Sequence, residues 1–402
     1  MYKKTSETKV LRDPIHGYIH VDDQVIWDCI NTREFQRLHR IHQLGGDFQV
    51  YHTAEHSRFS HSLGVYEIAR RMISEVRSLK EALKEEEKIQ VLCAALLHDL
   101  GHGPFSHFFE TITQVSHEQM TTHLILDPKT EVHQALTRAS EDLPENVAWI
   151  LMHKHPNPLL SQIISSQLDA DRMDFLLRDA YETGTSYGTF DLERVLRTLR
   201  VKENRLCIKE SGMHSIEDYI MARYHMYWQV YLHPDAKSYE LLIQLFFKRY
   251  RKIVDQIEPI EIFSCLLKER MTSEEFILMD EYRMMVGFQE ALKSKDPILK
   301  DLATRILDRH LFGWIEDPTP VQEQEKKKEL IQRGLDLEYY YYEETSSSKA
   351  YLPYQEQDQR QTIWILTPKD QLEPLSYSSQ IVKALLKMPD RTKKRIYFAK
   401  NG

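Results

Sequence analysis

The sequence is poor in cysteine, in glycine and in long apolar segments. Its 402 residues include only 4 cysteines and 13 glycines. The cysteines lie far apart, which fits neither a disulfide framework nor a zinc cluster, so we expect buried free thiols in a reducing compartment. No segment approaches the roughly 18 consecutive apolar residues of a membrane helix, and the N-terminus does not resemble a signal peptide. We therefore expect a cytoplasmic protein that makes no membrane contact.

An excess of positive charge is also lacking. The chain carries 53 Lys and Arg against 61 Asp and Glu, a formal net charge of −8. This balance argues against a general nucleic-acid binder, although a local basic pocket remains compatible with it. Histidine, in contrast, is concentrated in one half of the chain, because 15 of the 19 histidines precede residue 156. The skew indicates a chemical role for the N-terminal half.

A histidine and an aspartate stand side by side where an apolar helix is predicted to end. His98 and Asp99 precede a glycine-rich turn at residues 101–104. Neighbouring helix residues point about 100° apart, so both side chains reach one ion only near a helix end or a distortion. His61, at the start of a second helix, and Asp171, inside a third, complete a set of two imidazoles and two carboxylates. That set suits Zn, Mn, Fe or Ni, and Mg is retained as a further candidate for the divalent ion.

Two further histidines and a carboxylate form a candidate acid–base set. His107, Glu110 and His117 follow shortly after the histidine–aspartate pair. Histidine titrates near neutral pH, so it can donate a proton to a leaving oxygen, and a carboxylate can fix its tautomer. A packing role is the alternative for each histidine.

A polyanionic substrate would need positive side chains, and arginines lie near these residues. Arg58 and Arg172 lie close to the candidate metal ligands, and Arg223 is followed by Tyr227 and Tyr231 at helical spacing. Guanidinium groups fit phosphate oxygens, and tyrosine supplies stacking and a hydroxyl. An ordinary aromatic core stripe with an arginine at its rim explains the last three residues equally well.

Helical periodicity dominates the chain as far as about residue 320. Residues 9–21 are predicted to be extended with a turn at Asp13-Pro14, and a hairpin is predicted at 199–208. After about residue 320 the spacing of apolar residues is no longer helical, and short predicted strands alternate with loops. We therefore predict a mainly α protein with a helical domain over residues 1–320 and a small α+β region over 321–402. The predictions that matter below are helices at 33–44, 160–181, 215–231 and 381–388, strands at 337–342, 350–354, 362–366 and 395–399, and a loop at 346–348.

Six short motifs follow one another in an order that is typical of one enzyme family. They are Asp13-Pro14-Ile15-His16-Gly17, Phe35-Gln36-Arg37-Leu38, Gln43-Leu44-Gly45-Gly46, the segment from Arg58 to Val65, the segment from His98 to His107, and Asp169-Ala170-Asp171-Arg172-Met173-Asp174. Together they resemble the HD superfamily of metal-dependent phosphohydrolases. Within it they are most similar to the SAM-and-HD-domain dNTP triphosphohydrolases and their bacterial relatives, without the SAM domain. The match is strong over residues 9–240.

The resemblance implies an HD-domain helical bundle that hydrolyses a dNTP to a deoxynucleoside and tripolyphosphate. The residues that match the metal ligands are His61, His98, Asp99 and Asp171. The residues that match the catalytic groups are His107 and His117, with Glu110 where the family often has Asp. The residues that match substrate contacts are Gln43, Leu44, Arg58, Arg172, Asp179, Arg223, Tyr227 and Tyr231. Gln43 and Leu44 match positions beside the sugar, and Asp179 matches an acceptor for the 3′-hydroxyl.

The family is activated by nucleotide bound between the subunits of a tetramer, so the resemblance also implies a homotetramer with a regulatory site. The matching positions are Lys9, Val10, Asn31, Gln36 and His39. Asn31 and His39 replace the Asp and Arg that read guanine in the family, so guanine-specific activation is not expected. Phe175 replaces a Tyr, so one hydrogen bond to phosphate is expected to be lost. Leu232 replaces a Gln and Tyr227 replaces a His, so base selection is expected to differ.

Two other functions stay open at this point. One is a nucleotidase or phosphodiesterase that uses the same metal on another nucleotide. The other is a nucleotide-sensing or nucleic-acid-binding protein with little turnover, which the net acidity and the complete ligand set disfavour.

Overall fold

A computed structural model describes residues 2–268, 270–347, 354, 356, 362–388 and 392–400 of the chain. Helices dominate it, which confirms the prediction of a mainly α protein. The predicted strand at 350–354 lies, except for Tyr354, outside the described residues. In the parts that the structure describes, no helix combines the length and the apolar character needed to span a membrane.

The N-terminal half is a helical bundle around one long apolar helix, α5. Residues 89–97 of α5 are all buried, and α3 packs between α5 and α11. The helix ends at Leu97, so the histidine–aspartate pair follows directly, as the sequence predicts. The helices are α1 (Gln24–Ile30), α2 (Arg33–Arg37), α3 (Arg58–Glu75), α4 (Arg77–Ala82), α5 (Glu85–Leu97), α6 (His107–Thr113), α7 (His117–Leu126), α8 (Glu131–Ala139), α9 (Leu143–Leu151), α10 (Pro158–Ile164) and α11 (Ala170–Thr183).

The predicted helix at 33–44 is wrong beyond residue 40. The chain leaves α2 through a short 3-10 turn at Leu38–Arg40, and His42 forms an isolated β-bridge with Ser57. The backbone N–H of His42 bonds to the carboxylate of Glu281 (3.0 Å), and that of Gln43 bonds to the carbonyl of His56 (2.9 Å). These distant acceptors replace the intrahelical carbonyls that a longer helix would use.

The predicted helix at 160–181 is wrong as a single element. It divides into α10 and α11, because Asp169 caps the start of α11. The Asp169 side chain accepts from the backbone N–H of Arg172 (2.7 Å) and from that of Ser166 (2.6 Å). An aspartate that bonds nearby backbone groups favours a helix start over a helix interior.

The second half continues the helical body. The predicted helix at 215–231 is confirmed as α13, but it widens into a π turn at Tyr227–Tyr231. Shorter 3-10 turns occur at Glu210–Gly212, Val254–Gln256 and Glu261–Leu267. The remaining helices are α12 (Leu192–Thr198), α13 (Met213–Met226), α14 (Pro234–Ile253), α15 (Ser273–Leu278), α16 (Glu281–Ala291), α17 (Pro297–Leu307), α18 (Pro320–Gln332), α19 (Leu337–Tyr340), α20 (Leu375–Ser378) and α21 (Gln380–Leu386).

In the described part of the chain, three small sheets accompany the helices. The first is the antiparallel hairpin β1–β2, the second has the order β3-β4-β7-β8, and the third has the order β5-β9-β6. β4 and β7 pair in parallel, with Cys207 opposite Trp364, so the C-terminal strands extend sheets of the helical body. The domain boundary at residue 320 stays a prediction. The strands are β1 (Lys4–Asp13), β2 (Gly17–Asp23), β3 (Leu199–Lys202), β4 (Arg205–Lys209), β5 (Gly313–Glu316), β6 (Tyr341–Ser347), β7 (Trp364–Leu366), β8 (Leu372–Pro374) and β9 (Thr392–Phe398).

The C-terminal region departs from the predicted strand at 337–342. Residues 337–340 form the helical turn α19, capped by Asp336, and the strand β6 begins only at Tyr341. The neighbours Tyr339 and Tyr340 are both buried, whereas a strand would point them to opposite faces. The predicted loop at 346–348 is also wrong for Ser346 and Ser347, which belong to β6, while Ser348 lies outside the described residues.

The four cysteines are free and buried, as predicted. Burial raises the pKa of the Cys29 and Cys93 thiols, so both remain protonated at neutral pH.

Candidate metal centre and active site

The four predicted metal ligands converge at the ends of three helices. Nε2 of His61 lies 3.1 Å from Oδ1 of Asp171 and 3.8 Å from Oδ2 of Asp99. Nε2 of His98 lies 3.3 Å from Oδ1 of Asp99 and 3.8 Å from Oδ1 of Asp171. α3 contributes the first histidine, the end of α5 contributes the pair, and the first turn of α11 contributes Asp171.

This donor set fits a divalent cation. Nδ1 of His98 donates to the carbonyl of Ala95 (2.9 Å), so Nε2 carries the lone pair. That nitrogen is buried and finds no hydrogen-bond partner among the described residues. An unpaired buried acceptor beside two carboxylates is unfavourable unless a cation satisfies it. Histidine nitrogens with carboxylate oxygens suit Zn, Mn, Fe or Ni.

The charges in the centre are strongly coupled. Burial alone would disfavour the charged form of His61, but the hydrogen bonds that it donates to Asp171 and Asp174 outweigh burial and raise the pKa of His61 to about 10. Binding of a cation at Nε2 therefore releases the proton from that nitrogen. Burial likewise opposes ionisation of Asp99, yet the charges of His98 and Arg58 hold the pKa of Asp99 well below its ordinary value. Burial opposes ionisation of Asp171 too, but its hydrogen bond with His61 outweighs burial and lowers the pKa of Asp171. Both carboxylates are therefore ionised at neutral pH.

A buried network behind His61 fixes the orientation of its ring. Nδ1 of His61 lies 2.8 Å from Oδ2 of Asp174, and Nε2 of His16 lies 2.7 Å from Oδ1 of the same carboxylate. Arg178 bonds both oxygens of Asp174 (2.9 Å each) and reaches Asp13 with Nη1 (2.9 Å). Partners of this kind set the tautomer of a metal-binding histidine, so Nε2 of His61 faces the candidate ion.

Asp13, His16 and Asp174 belong to the sequence motifs but were not predicted to have a role, and Arg178 lies outside the motifs. Asp174 and Arg178 follow Asp171 at i+3 and i+7, a helical stripe that pattern analysis could have detected. Asp13 and His16 belong to the turn between β1 and β2, and nothing local indicates that this turn reaches α11.

Arg58 joins the candidate ligands to two neighbouring loops. Its Nη1 pairs with the carboxylate of Asp99, and its Nη2 donates to Oγ of Ser106 (2.7 Å) and to the carbonyl of Gln43 (3.4 Å). Phe105 and Ser106 both adopt positive φ angles (58° and 53°), which side-chain-bearing residues rarely adopt. This strained turn directly precedes α6.

Two of the candidate acid–base residues, Glu110 and His117, lie beside the metal centre. Oε1 of Glu110 lies 2.6 Å from Nδ1 of His117, so this carboxylate can fix the tautomer of His117. The ring of His117 stacks on His102 (centroids 3.9 Å apart), and Nε2 of His102 lies 3.4 Å from Oδ1 of Asp99. Burial and the charge of Arg58 hold the pKa of His102 well below its ordinary value, so it is neutral. The side chain of His107 lies outside the described part of the structure.

A second wall of the site surrounds Asp179. Oδ1 of Asp179 lies 2.8 Å from Nε2 of His56, and its Oδ2 accepts from the hydroxyl of Tyr231 (2.8 Å). Oε1 of Gln43 is buried without a hydrogen-bond partner among the described residues. Leu44 is half-buried in the turn that follows Gln43. The candidate sugar contacts thus lie in two segments that His56 connects.

The arginine and tyrosines predicted to share a helix face are in contact. The guanidinium of Arg223 lies 5.9 Å from the ring centroid of Tyr227, and the rings of Tyr227 and Tyr231 meet edge to face at 5.3 Å. Nη1 of Arg223 also donates to Oε1 of Gln167 (2.7 Å). The helix widens into the π turn at Tyr227–Tyr231, and the two tyrosine rings remain in contact there.

Arg172 faces the start of its own helix. Its Nη1 pairs with the Asp169 carboxylate and bonds to the carbonyl of Ser166. Both bonds use one nitrogen of a group that has five N–H donors, and the side chain is 23% exposed.

Three of the five predicted regulatory residues, Lys9, Asn31 and Gln36, contact residues of α1. Side-chain amides of Asn31 and Gln36 donate to the last carbonyls of that helix (2.7 and 2.8 Å). Lys9 lies 6.0 Å from the ring of Trp27, and Val10 is exposed on β1. His39 stands apart from them and stacks on Phe59 at 3.6 Å.

Comparison with known proteins places this geometry in a family. Residues 58–179 match the HD domain, and residues 190–316 match the HD associated region. The uncharacterized protein YwfO of Bacillus subtilis is 44% identical over 409 aligned residues, covering 99% of this chain and 94% of YwfO. The chain therefore belongs to the HD-domain phosphohydrolase family, whose members depend on a metal ion.

Two further proteins are similar to this chain. Human deoxynucleoside triphosphate triphosphohydrolase SAMHD1 is 30% identical over 80% of this chain, which spans 57% of the human protein. The crystal structure of a phosphohydrolase from Bacteroides thetaiotaomicron superposes with a TM-score of 0.85 at 27% identity, covering 98% of this chain and all of that chain.

Proposed function

We propose that this protein is a metal-dependent dNTP triphosphohydrolase that converts a dNTP and water to a deoxynucleoside and tripolyphosphate. The observation that carries the proposal is the layout of α11. Its first turn presents Asp171 to the candidate metal centre, and Asp179 follows two turns later, about 12 Å along the helix axis. One rigid helix thus carries a carboxylate for the phosphate-binding ion and a carboxylate for a sugar hydroxyl.

The residues that would hold the ion are His61, His98, Asp99 and Asp171. A divalent ion in this position supplies a Lewis acid for phosphoryl oxygens and lowers the pKa of water. Arg58, Arg172 and Arg223 neutralise the triphosphate. Arg58 already pairs with Asp99, so it brings positive charge to the edge of the centre.

Hydrolysis proceeds by attack of water on the α-phosphorus. The new P–O bond forms as the bond from phosphorus to the 5′-oxygen of the sugar breaks, and the departing oxygen takes a proton from a histidine. His117, oriented by Glu110, and His107 are the two candidates for this acid. Water supplies the oxygen that tripolyphosphate gains, so atoms balance without a further reactant.

Sugar selection falls to Gln43, Leu44 and Asp179. Asp179 accepts the 3′-hydroxyl, while Leu44 and Gln43 lie where a 2′-hydroxyl would need space. Tyr231 lies beside Asp179, and its ring meets that of Tyr227, so the two rings contact the sugar and the base.

Nucleotide regulation and a homotetramer are part of the proposal. The positions are Lys9, Val10, Asn31, Gln36 and His39. What supports them is the resemblance, together with the clustering of most of these side chains near the end of α1.

Product analysis tests the proposed reaction. Purified protein is incubated with each dNTP, singly and in pairs, with Mg or Mn. Tripolyphosphate and a deoxynucleoside are the expected products, and acceleration in pairs reports activation. Orthophosphate or a monophosphate would instead identify a nucleotidase or phosphodiesterase. Absence of turnover with every substrate and metal would favour a sensing protein.

A further inference from the structure

His56 contacts both segments that carry the candidate sugar contacts. Its backbone carbonyl accepts from the N–H of Gln43 (2.9 Å), and its Nε2 lies 2.8 Å from Oδ1 of Asp179. The side chains of His56 and Asp179 are only 3% and 1% exposed. One residue therefore links the Gln43 segment to α11, although 123 positions separate His56 from Asp179.

The Asp179 carboxylate is held from two sides. His56 engages Oδ1, and the Tyr231 hydroxyl engages Oδ2. A carboxylate has about four acceptor positions, so two bonds leave acceptor capacity for a ligand hydroxyl. With a donor on each oxygen, rotation of the carboxylate breaks a buried hydrogen bond, which fixes where a hydroxyl must lie.

The tautomer of His56 follows from its surroundings. Its Nδ1 is buried and has no hydrogen-bond partner among the described residues. An N–H group there would be an unsatisfied buried donor, so the proton lies on Nε2 and is donated to Asp179. His56 consequently orients the carboxylate and does not shuttle protons.

We propose that His56 is a positioning residue that sets sugar specificity by holding Asp179 in register with Gln43. The proposal rests on the proposed dNTP hydrolysis and deepens it. His56 acts through its neighbours and does not touch the reacting atoms. Its loss should weaken recognition of the 3′-hydroxyl more than it weakens hydrolysis as such.

The test compares a dNTP with its 2′,3′-dideoxy analogue. We measure kcat and KM for both in the wild type, His56→Phe, His56→Gln, Asp179→Asn and the His56→Phe/Asp179→Asn double variant. His56→Phe should lower the preference for the 3′-hydroxyl, expressed as a ratio of kcat/KM values, by about tenfold. His56→Gln, which retains an N–H donor of similar reach, should restore much of it. The double variant should lose no more than Asp179→Asn alone, because both act on one contact.

His52→Phe is the matched control. His52 is an exposed histidine four positions earlier, and its replacement should leave the ratio unchanged. Metal content and thermal unfolding are recorded for each variant.

Three outcomes would overturn the inference. An unchanged ratio in an active His56→Phe variant would do so, and so would an equal loss with both substrates that glutamine does not restore. Failure of the wild type to hydrolyse any dNTP would remove the proposed function as well, which distinguishes that result from the other two.

Discussion

Gly64 lies directly against Asp174, the carboxylate that orients His61. A Cβ atom built on Gly64 would stand 1.8 Å from Oδ1 of Asp174 and 2.5 Å from Nη2 of Arg178. No side chain fits that space unless the buried network moves. The glycine therefore lets α3 and α11 approach closely enough to share the candidate metal centre.

Replacement of Gly64 by alanine is expected to destabilise the protein by about 2 kcal/mol, although alanine normally stabilises a helix interior relative to glycine. The variant should also bind metal more weakly, because Asp174 can no longer hold His61. Urea unfolding and metal analysis measure the two effects. Gly287→Ala is the matched control, since its Cβ would meet the ring of Phe263 at 2.2 Å and not a residue of the candidate metal centre. That variant should lose stability and keep its metal, and a stable, metal-replete Gly64→Ala variant would contradict the argument.

Removal of the metal should lower the thermal unfolding temperature. An ion that binds only the folded state stabilises it by about 2.7 kcal/mol at a hundredfold excess over Kd. Scanning calorimetry before and after chelation, and again after Mn or Fe is restored, measures this. Asp99→Asn should abolish the response to added metal, whereas Asp142→Asn, at an exposed aspartate, should respond as the wild type does. Equal responses of the two variants would show that Asp99 is not a ligand.

Replacement of Glu110 by glutamine should lower kcat by about 100-fold with little change in KM or metal content. The amide cannot hold the tautomer of His117 as the carboxylate does, so proton donation suffers while binding does not. Steady-state kinetics with each active dNTP measures the effect. Glu118→Gln, at the exposed neighbour of His117, should behave as the wild type. A Glu110→Gln variant with unchanged kcat would assign the acid to another residue.

Stability is expected to fall as pH rises through the titration of His42. Burial disfavours its charged form, but hydrogen bonds and charges of Glu281 and Glu55 outweigh this and raise the pKa of His42 to about 9. The ordinary value is 6.5, so the contribution is complete below pH 6.5 and is lost as pH rises through 9.

The difference in unfolding free energy between the wild type and His42→Gln should therefore shrink by on the order of 2 kcal/mol between pH 6.5 and 9.5. Urea unfolding at closely spaced pH values measures this difference in free energy. The contributions of the other titrating groups are the same in both proteins and therefore cancel. A difference that stays constant over this range would mean that His42 is not charged in the folded protein.

The local sequence pattern was sufficient to predict much of the fold and the candidate metal ligands. The apolar run of α5 predicts a buried helix, and its glycine-rich exit predicts that His98 and Asp99 follow a helix end, as they do. The predicted helices at 33–44 and 160–181 are wrong for two different reasons: a distant residue bonds the backbone in the first, and a nearby side chain does so in the second. The carboxylate of Glu281, 239 positions away, accepts from the backbone N–H of His42, and the carboxylate of Asp169 accepts from the backbone N–H of Arg172.

The site residues that the sequence pattern did not predict also depend on partners that are distant in the chain. His16 meets Asp174 across 158 positions, and His56 meets Asp179 across 123. No periodicity reports such a pairing, because it depends on how the hairpin and helices pack in three dimensions. Likewise, only the structure shows that the ring of His102 stacks on His117.

The dependence of the centre on α11 has a consequence for synthesis of the chain. Asp171 emerges from the ribosome 110 residues after His61 (171 − 61), about 10 s later at ordinary elongation rates. Until then Asp13, His16 and His61 lack the Asp174 carboxylate and the Arg178 guanidinium to which they bond in the finished protein. Arrival of α11 thus supplies the last ligand and the internal counter-charges in a single docking event, so a nascent chain stalled before it should remain sensitive to protease.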